Sequence, residues 1–293
     1  MKNIPFFNYP ALFEQRKDEY LDIIQDVLSR GAYIMQKDLF NFENDLAKYL
    51  GVKHAIGVAD GTMALLTSLI AAGIGEGDEV ILPSHTFVAS AAAVHHTGAK
   101  PVLADCQEDH MIDVNSIAEL ITSKTKAIMP VQLNGRVSDM DSINEIAIKH
   151  DLIIIEDSCQ ALGAKYKGKF AGTFGLTGTF SFFPAKTLGC FGDGGAVVTN
   201  SDEIAAKIRM IRDHGRDPSD GMVKVFGFNS RLDNLQAAVL GLKLKYYDED
   251  VERRRQIAKL YNLHLSDTEQ ILLPPAPDSE VDHFDVFQNY EIE

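Results

Sequence analysis

Three short segments carry residue types that could do chemistry. The first is Thr179–Gly195, TFSFFPAKTLGCFGDGG, with Lys186 in a loop between two apolar strands. Lysines are usually solvated. Here Phe182, Phe183, Leu188 and Phe191 predict partial burial, and desolvation favours the neutral amine, a nucleophile for a carbonyl carbon. Gly189, Gly192, Gly194 and Gly195 allow close backbone approach or positive φ. The second segment is the unbroken run Leu152–Ile155, which ends in Glu156-Asp157. A carboxylate at the C-terminal end of a buried strand lies where open α/β sheets bind ligands, and it is costly there without a partner. A helix or turn cap is the competing reading of Asp157.

The third segment is Asp60-Gly61-Thr62, after a strand and before a helix. Free amides, a hydroxyl and the positive end of the helix dipole suit a phosphate, although a plain N-cap is as common. Gly73–Gly77 (GIGEG) follows a helix and precedes a strand, the reverse of a dinucleotide loop, and reads as a helix end and turn. A phosphate cradle, an acid at a strand end and a half-buried lysine are the parts that hold pyridoxal 5′-phosphate. The carboxylate keeps the ring nitrogen protonated so that the ring takes up carbanion electrons. Phe87 is the aromatic placed to stack on the ring.

These segments need a scaffold. Leu21, Ile24 and Leu28, then Phe42, Leu46 and Leu50, recur at helical spacing. From His54 onward strands and helices alternate, which predicts an α/β fold with a mainly parallel central sheet and helices on both faces. Thr177–Phe183 and Ala196–Thr199 read as strands without a helix between them. A charged helix follows Lys243, and a domain boundary is expected near Tyr246–Val251. That divides the chain into an N-terminal helical segment (1–30), a large domain (31–248) and the start of a smaller one (249–293).

The 293 residues are 45% hydrophobic and 24% charged, an ordinary globular balance. A net charge of −14 disfavours nucleic-acid binding. No apolar run reaches the ~20 residues of a membrane span, and no signal segment is evident. Cys106, Cys159 and Cys190 have neither zinc nor disulfide spacing, so the expectation is no metal and a reducing, cytoplasmic setting.

The chain resembles the fold-type I, pyridoxal-phosphate-dependent nucleotide-sugar aminotransferases of the DegT/StrS type. The likeness runs from about residue 30 to about residue 265. It rests on GTMALLTSLIAAGIGEGDEVILPSHTFVASA, TKAIMPVQLNGRVSDMD, IIIEDSCQALGAKYKGKFAGTFG, FSFFPAKTLGCFGDGGAVVTN, RDHGRD and GFNSRLDNLQAAVL. The resemblance implies that Lys186 is the Schiff-base lysine and the proton carrier. Asp157 would pair with the pyridinium nitrogen, and Gln160, one helical turn on, would bond the ring's 3-oxygen. Ser181 and the Gly61-Thr62-Met63 turn would bind the phosphate, and Phe87 would stack on the ring. Asn229 would reach the phosphate in a neighbouring subunit, which implies a homodimer with shared active sites, and Arg231 would support that loop.

The implied reaction has two halves. Glutamate, becoming 2-oxoglutarate, gives its amine to the cofactor, which then aminates a keto group on a nucleotide-linked hexose. His85 stands where relatives often have an aromatic or small residue, and reads either as substrate tuning or as a neutral variant. Arg212, His214 and Arg216 in RDHGRD are expected in a loop, as candidates for substrate anions. Family members are longer than 293 residues, so residues 249–293 are expected to be the start of an incomplete small α/β domain. Cofactor binding would then survive in a truncated chain while sugar turnover would be impaired.

Other candidates read as structure. His95-His96 do not share a helix face, Asp139 and Asp141 suit a helix N-terminus, and Cys159 and Cys190 suit small buried groups. Lys165, Lys167 and Lys169 suit an exposed hairpin, and Arg253–Arg255 a charged helix face. Two other functions compete. One is a catalytically idle, cofactor-binding relative acting as a regulator or partner subunit, which would not need Lys186, Asp157, Gln160 and Ser181 together. The other is a nicotinamide-dependent oxidoreductase, which lacks its glycine fingerprint in the right order.

Overall fold

The computed structural model describes residues 4–293. Three helices come first: α1 (Tyr9–Glu14), α2 (Lys17–Ser29) and α3 (Lys37–Leu50). Strands and helices then alternate: β1 (His54–Val58), α4 (Gly61–Ala71), β2 (Glu79–Pro83), α5 (Val88–His96), β3 (Lys100–Ala104), α6 (Val114–Leu120), β4 (Thr125–Ile128), α7 (Met140–His150) and β5 (Ile153–Asp157). A hairpin of β6 (Lys165–Tyr166) and β7 (Lys169–Phe170) precedes β8 (Thr177–Ser181) and β9 (Gly195–Thr199). Helices α8 (Asp202–Ile211), α9 (Asn234–Leu244) and α10 (Tyr247–Leu265) follow, and then the short β10 (His283–Phe284).

Seven strands form one sheet in the order β1-β9-β8-β5-β4-β2-β3. All run parallel except β9, which is antiparallel to both β1 and β8. Alternate residues of one strand point to opposite faces, and the core divides accordingly. Ala55, Ile81, Ile128, Ile154 and Val198 pack with α3, α6, α7 and α9 residues such as Phe42, Ile117, Ile143 and Leu240. Their neighbours Ile56, Val80, Ala127, Ile155 and Val197 pack on the other face with Leu65, Leu69, Val94 and Ile208 of α4, α5 and α8. The continuous apolar runs are therefore strands covered on both sides, each buried aliphatic side chain contributing about 1.5–3 kcal/mol.

This topology fixes where a site can form. The loops after β1, β2, β4, β5 and β8 all leave the same end of the sheet, and the antiparallel β9 begins at that end. Gly195 makes the approach possible, because a Cβ there would lie 2.3 Å from the Asp60 carbonyl oxygen.

Past α10 the chain turns back onto this body. Strand β10 pairs with β6, and the N–H groups of Val286 and Gln288 donate to the carbonyls of Gly135 and Asn134, both at 2.9 Å. Gly135 has φ +92°, and a Cβ there would meet Val286 Cγ2 at 2.7 Å and Phe287 N at 2.9 Å, so only glycine lets the segment lie so close. Arg136 locks the contact from beside it, donating to Asp285 at 2.9 Å and Asp109 at 3.2 Å.

Candidate active site

A cleft of about 550 Å³ opens at the strand-end side of the sheet, within the range of small-molecule and cofactor sites. Gly61 and Thr62 after β1, Thr86 and Phe87 after β2, Val131 and Leu133 after β4, Asp157, Cys159 and Gln160 after β5, and Ser181, Phe183 and Lys186 after β8 line it. Seven of the expected site residues thus meet: Gly61, Thr62, Phe87, Asp157, Gln160, Ser181 and Lys186.

One side is the N-terminus of α4. Asp60 caps it, its Oδ1 accepting the Met63 N–H at 2.8 Å. That corrects the expectation for Met63, whose N–H is committed to the cap and which does not line the cleft. Gly61 and Thr62 remain, facing Ser181. A Cβ on Gly61 would lie 2.8 Å from Ser181 Cβ and 3.1 Å from Cys159 Sγ. Glycine therefore lets helix amides and two hydroxyls converge on one spot, a donor set for a phosphate.

Asp157 is almost fully buried. Its Oδ2 accepts from Ser90 Oγ at 2.7 Å, and its Oδ1 from the Cys159 N–H at 3.2 Å. Thr86 Oγ1 lies 2.7 Å from Ser90 Oγ, which completes a chain of hydroxyls from the cleft wall to the carboxylate. The adjacent Glu156 points the other way into a fully buried nest, bonded by the N–H groups of Gly172, Phe174 and Gly175 and by Gln132 Nε2. Burial pushes its carboxyl above the ordinary value against those donors. Burial, reinforced by the Asp157 charge, also pushes the Cys159 thiol well up, which disfavours the reactive thiolate.

Lys186 is half-buried in the loop between β8 and β9. Its backbone N–H donates to Phe183 O at 2.8 Å. Gln160 lies in a turn after β5, not one helical turn on. Its Oε1 accepts the Asn134 N–H at 2.8 Å, which leaves the amide NH2 as the available donor. Phe87 is 70% exposed at the start of α5, and Phe183 is half-exposed.

The remaining expected residues lie elsewhere. Arg212 is corrected: it is 2% exposed, ion-paired with Glu43 of α3 and donating to Gly57 O at 2.8 Å, so it is a strut between α8 and β1 and cannot meet a substrate. His214, Arg216 and Asn229 are exposed on the loop after α8, outside the cleft. Arg231 pairs with Asp213 at 2.9 Å and ties the two ends of that loop. His85 is at the rim, its ring edge-on to His110 at 5.1 Å and 3.9 Å from Glu291. Thr86, Ser90, Phe183 and Asn134 are additions that sequence reasoning missed; Thr86 and Ser90 flank Phe87, one position before and three after it, in an otherwise alanine-rich stretch.

The residues present fit pyridoxal 5′-phosphate: a phosphate donor set at one end, an acid at the other, and an amine and a flat aromatic between. Among the described residues, no group of three or more His, Cys, Asp or Glu side chains is arranged for a metal. Among the same residues, no helix is long and apolar enough to cross a membrane.

Comparison with known proteins follows the same line. The profile of the DegT/DnrJ/EryC1/StrS aminotransferase family matches residues 14–292. The chain is 44% identical over 280 residues to a dTDP-3-amino-3,4,6-trideoxy-alpha-D-glucose transaminase of Streptomyces venezuelae, covering 94% of this chain and 73% of that protein. It is 41% identical to a pleiotropic regulatory protein of Geobacillus stearothermophilus, covering 99% and 78%. The crystal structure of S. venezuelae DesV superposes with a TM-score of 0.95 at 41% identity, covering all of this chain and 78% of the other.

Proposed function

This chain belongs to the DegT/DnrJ/EryC1/StrS aminotransferase family, and from that premise we propose that it aminates a keto group on a nucleotide-linked hexose, with glutamate as donor and pyridoxal 5′-phosphate as cofactor. The observation that carries the reading is the single cleft that gathers Gly61, Thr62, Phe87, Asp157, Gln160, Ser181 and Lys186. When bound, the cofactor supplies an electron sink for the carbanion formed at the donor carbon.

The chain's own residues divide the remaining work. Amides of Gly61 and Thr62, with the Thr62 and Ser181 hydroxyls, hold the phosphate at the positive end of the α4 dipole. Ser90 and the Cys159 amide donate to Asp157 and hold its carboxylate in place, where it would pair with the protonated ring nitrogen. The Gln160 NH2 would donate to the ring's 3-oxygen, and Phe87 would cover one ring face and exclude water. Lys186 Nζ is the amine that would hold the cofactor covalently and would carry the proton between donor carbon and cofactor.

His85, His214 and Arg216 are assigned to substrate. Asn229 is assigned to a neighbouring subunit's phosphate, with Arg231 bracing its loop. The loop after α8 exposes Met222, Val223 and Phe226, apolar surface that a homodimer would cover. The odd, sparse cysteines suit the cytoplasm. The likeness to a protein named as a regulator raises an idle, cofactor-binding role, but a regulator has no use for a complete lysine, acid, amide and phosphate set.

Borohydride reduction of cofactor-loaded protein, followed by digestion, should place a pyridoxyl adduct on Lys186. Its absence there overturns the assignment. Glutamate alone should change the cofactor absorbance; an unchanged spectrum removes glutamate as donor.

A further inference from the structure

Lys186 is held by a residue about a hundred positions away. Gln288 Oε1 accepts the Thr187 N–H at 2.7 Å, and Gln288 Nε2 donates to Ala185 O at 2.9 Å. The two polar atoms of one buried amide therefore bracket the lysine on both sides. Gln288 is itself fixed, because its N–H donates to Asn134 O at 2.9 Å. The same Asn134 donates its N–H to Gln160 Oε1 at 2.8 Å. One short relay thus ties the loop of the amine to the Gln160 amide, the group assigned above to the ring's 3-oxygen. We propose that Gln288 is a positioning residue for Lys186 and holds it in register with Gln160.

The residue type follows from the geometry. Bracketing two peptide groups needs one acceptor and one donor on a single planar end, which Gln provides. Glutamate keeps the acceptor for Thr187 but turns a second oxygen toward the Ala185 carbonyl. Methionine fills the space and makes neither bond. The lysine's long stem multiplies any error in its backbone position, and reacting groups tolerate only about 0.5 Å of misplacement. Thr187 has a further tie, its Oγ1 lying 2.7 Å from Tyr247 OH, so the loop stays folded without Gln288 while losing its bracket.

The inference rests on the proposed role of Lys186, and the test separates the two. Q288M and Q288E are compared with wild type and with R255M, which disturbs the same segment through its bond to Asp285 O at 2.7 Å without touching the lysine loop. In cofactor-free protein, amide hydrogen exchange over residues 183–190 should quicken about tenfold in Q288M and less in Q288E, with β5 unchanged. On adding pyridoxal 5′-phosphate, attachment at Lys186 should slow on the order of tenfold in Q288M. The pH dependence of the bound cofactor's absorbance should also move. Wild-type exchange and attachment rates in Q288M overturn the proposal, as does an equal effect of R255M on that peptide. If Q288M does not fold, the same criteria apply to Q288E. A wild type without an adduct on Lys186 refutes the functional reading, and the exchange comparison still decides the role of Gln288.

Discussion

The lining of the cleft and the chain that backs it are built on different rules. The lining comes from strand ends, each residue named above at the last position of a strand or within five residues past it. The backing comes from side chains paired over long sequence distances: Arg212 with Glu43, Glu156 with the loop at 172–175, and Gln288 with the Lys186 loop. Lining residues carry chemistry at little cost to folding, because the sheet beneath them is complete. Backing residues carry stability, because each is a buried polar group whose partner cannot be removed cheaply.

The contrast can be tested from the strongest expected effect downward. K186A should lower turnover on the order of 10²–10⁴-fold with the melting temperature nearly unchanged; a large loss of stability would erase the distinction. R212M should do the reverse. Removing one partner of a buried ion pair costs about 3–5 kcal/mol, read by urea unfolding, and any surviving folded protein should bind cofactor normally. D157N should cost about 10–100-fold in turnover, the worth of a charge-assisted hydrogen bond of roughly 1.5–3 kcal/mol, with a smaller loss of stability than R212M because Asn keeps an acceptor for one of its two donors.

E156Q, one residue away, tests the backing through pH. Burial raises the Glu156 carboxyl above 4.5, so the folded state holds a proton that the unfolded state has released. Stability then falls as pH rises from about 4.5 through the folded value. Asp285 is raised in the same direction, so E156Q should flatten this slope but not abolish it; an unchanged slope across pH 4.5–7 contradicts the assignment. The smallest effect belongs to the rim: H85A should change KM for the sugar a few-fold and leave kcat alone, whereas a fall in kcat would move His85 into the chemistry.

The same contrast explains what could be read from the sequence. The place of Asp157 in the cleft was legible because a carboxylate ends an unbroken aliphatic run, and that of Lys186 because it sits among aromatics and glycines. The two-faced sheet followed from strands such as Ile153–Ile155 that are apolar at every position. Arg212 was misread because nothing in RDHGRD reveals Glu43, 169 residues earlier, and a loop arginine next to a helix end usually meets solvent. Met63 was misassigned because one amide can serve either the Asp60 cap or a phosphate, and spacing does not say which. Gln288 carries no local signal at all. Its neighbours are ordinary, and its role exists only once residues 134–135 and 185–187 have been brought to it.

The bracket on the lysine has a consequence for how the protein is made. Thr187 and Gln288 are 101 residues apart. At the usual ~5–20 residues per second of synthesis, the loop leaves the ribosome on the order of 5–20 s before its clamp. The strands on either side can pair during that interval while the amine between them is still unheld. Cofactor meeting the growing chain would find the phosphate cradle and the acid before it found a lysine in position. If Gln288 positions the lysine as proposed, loading would be slower, on the order of tenfold, until the later segment has docked.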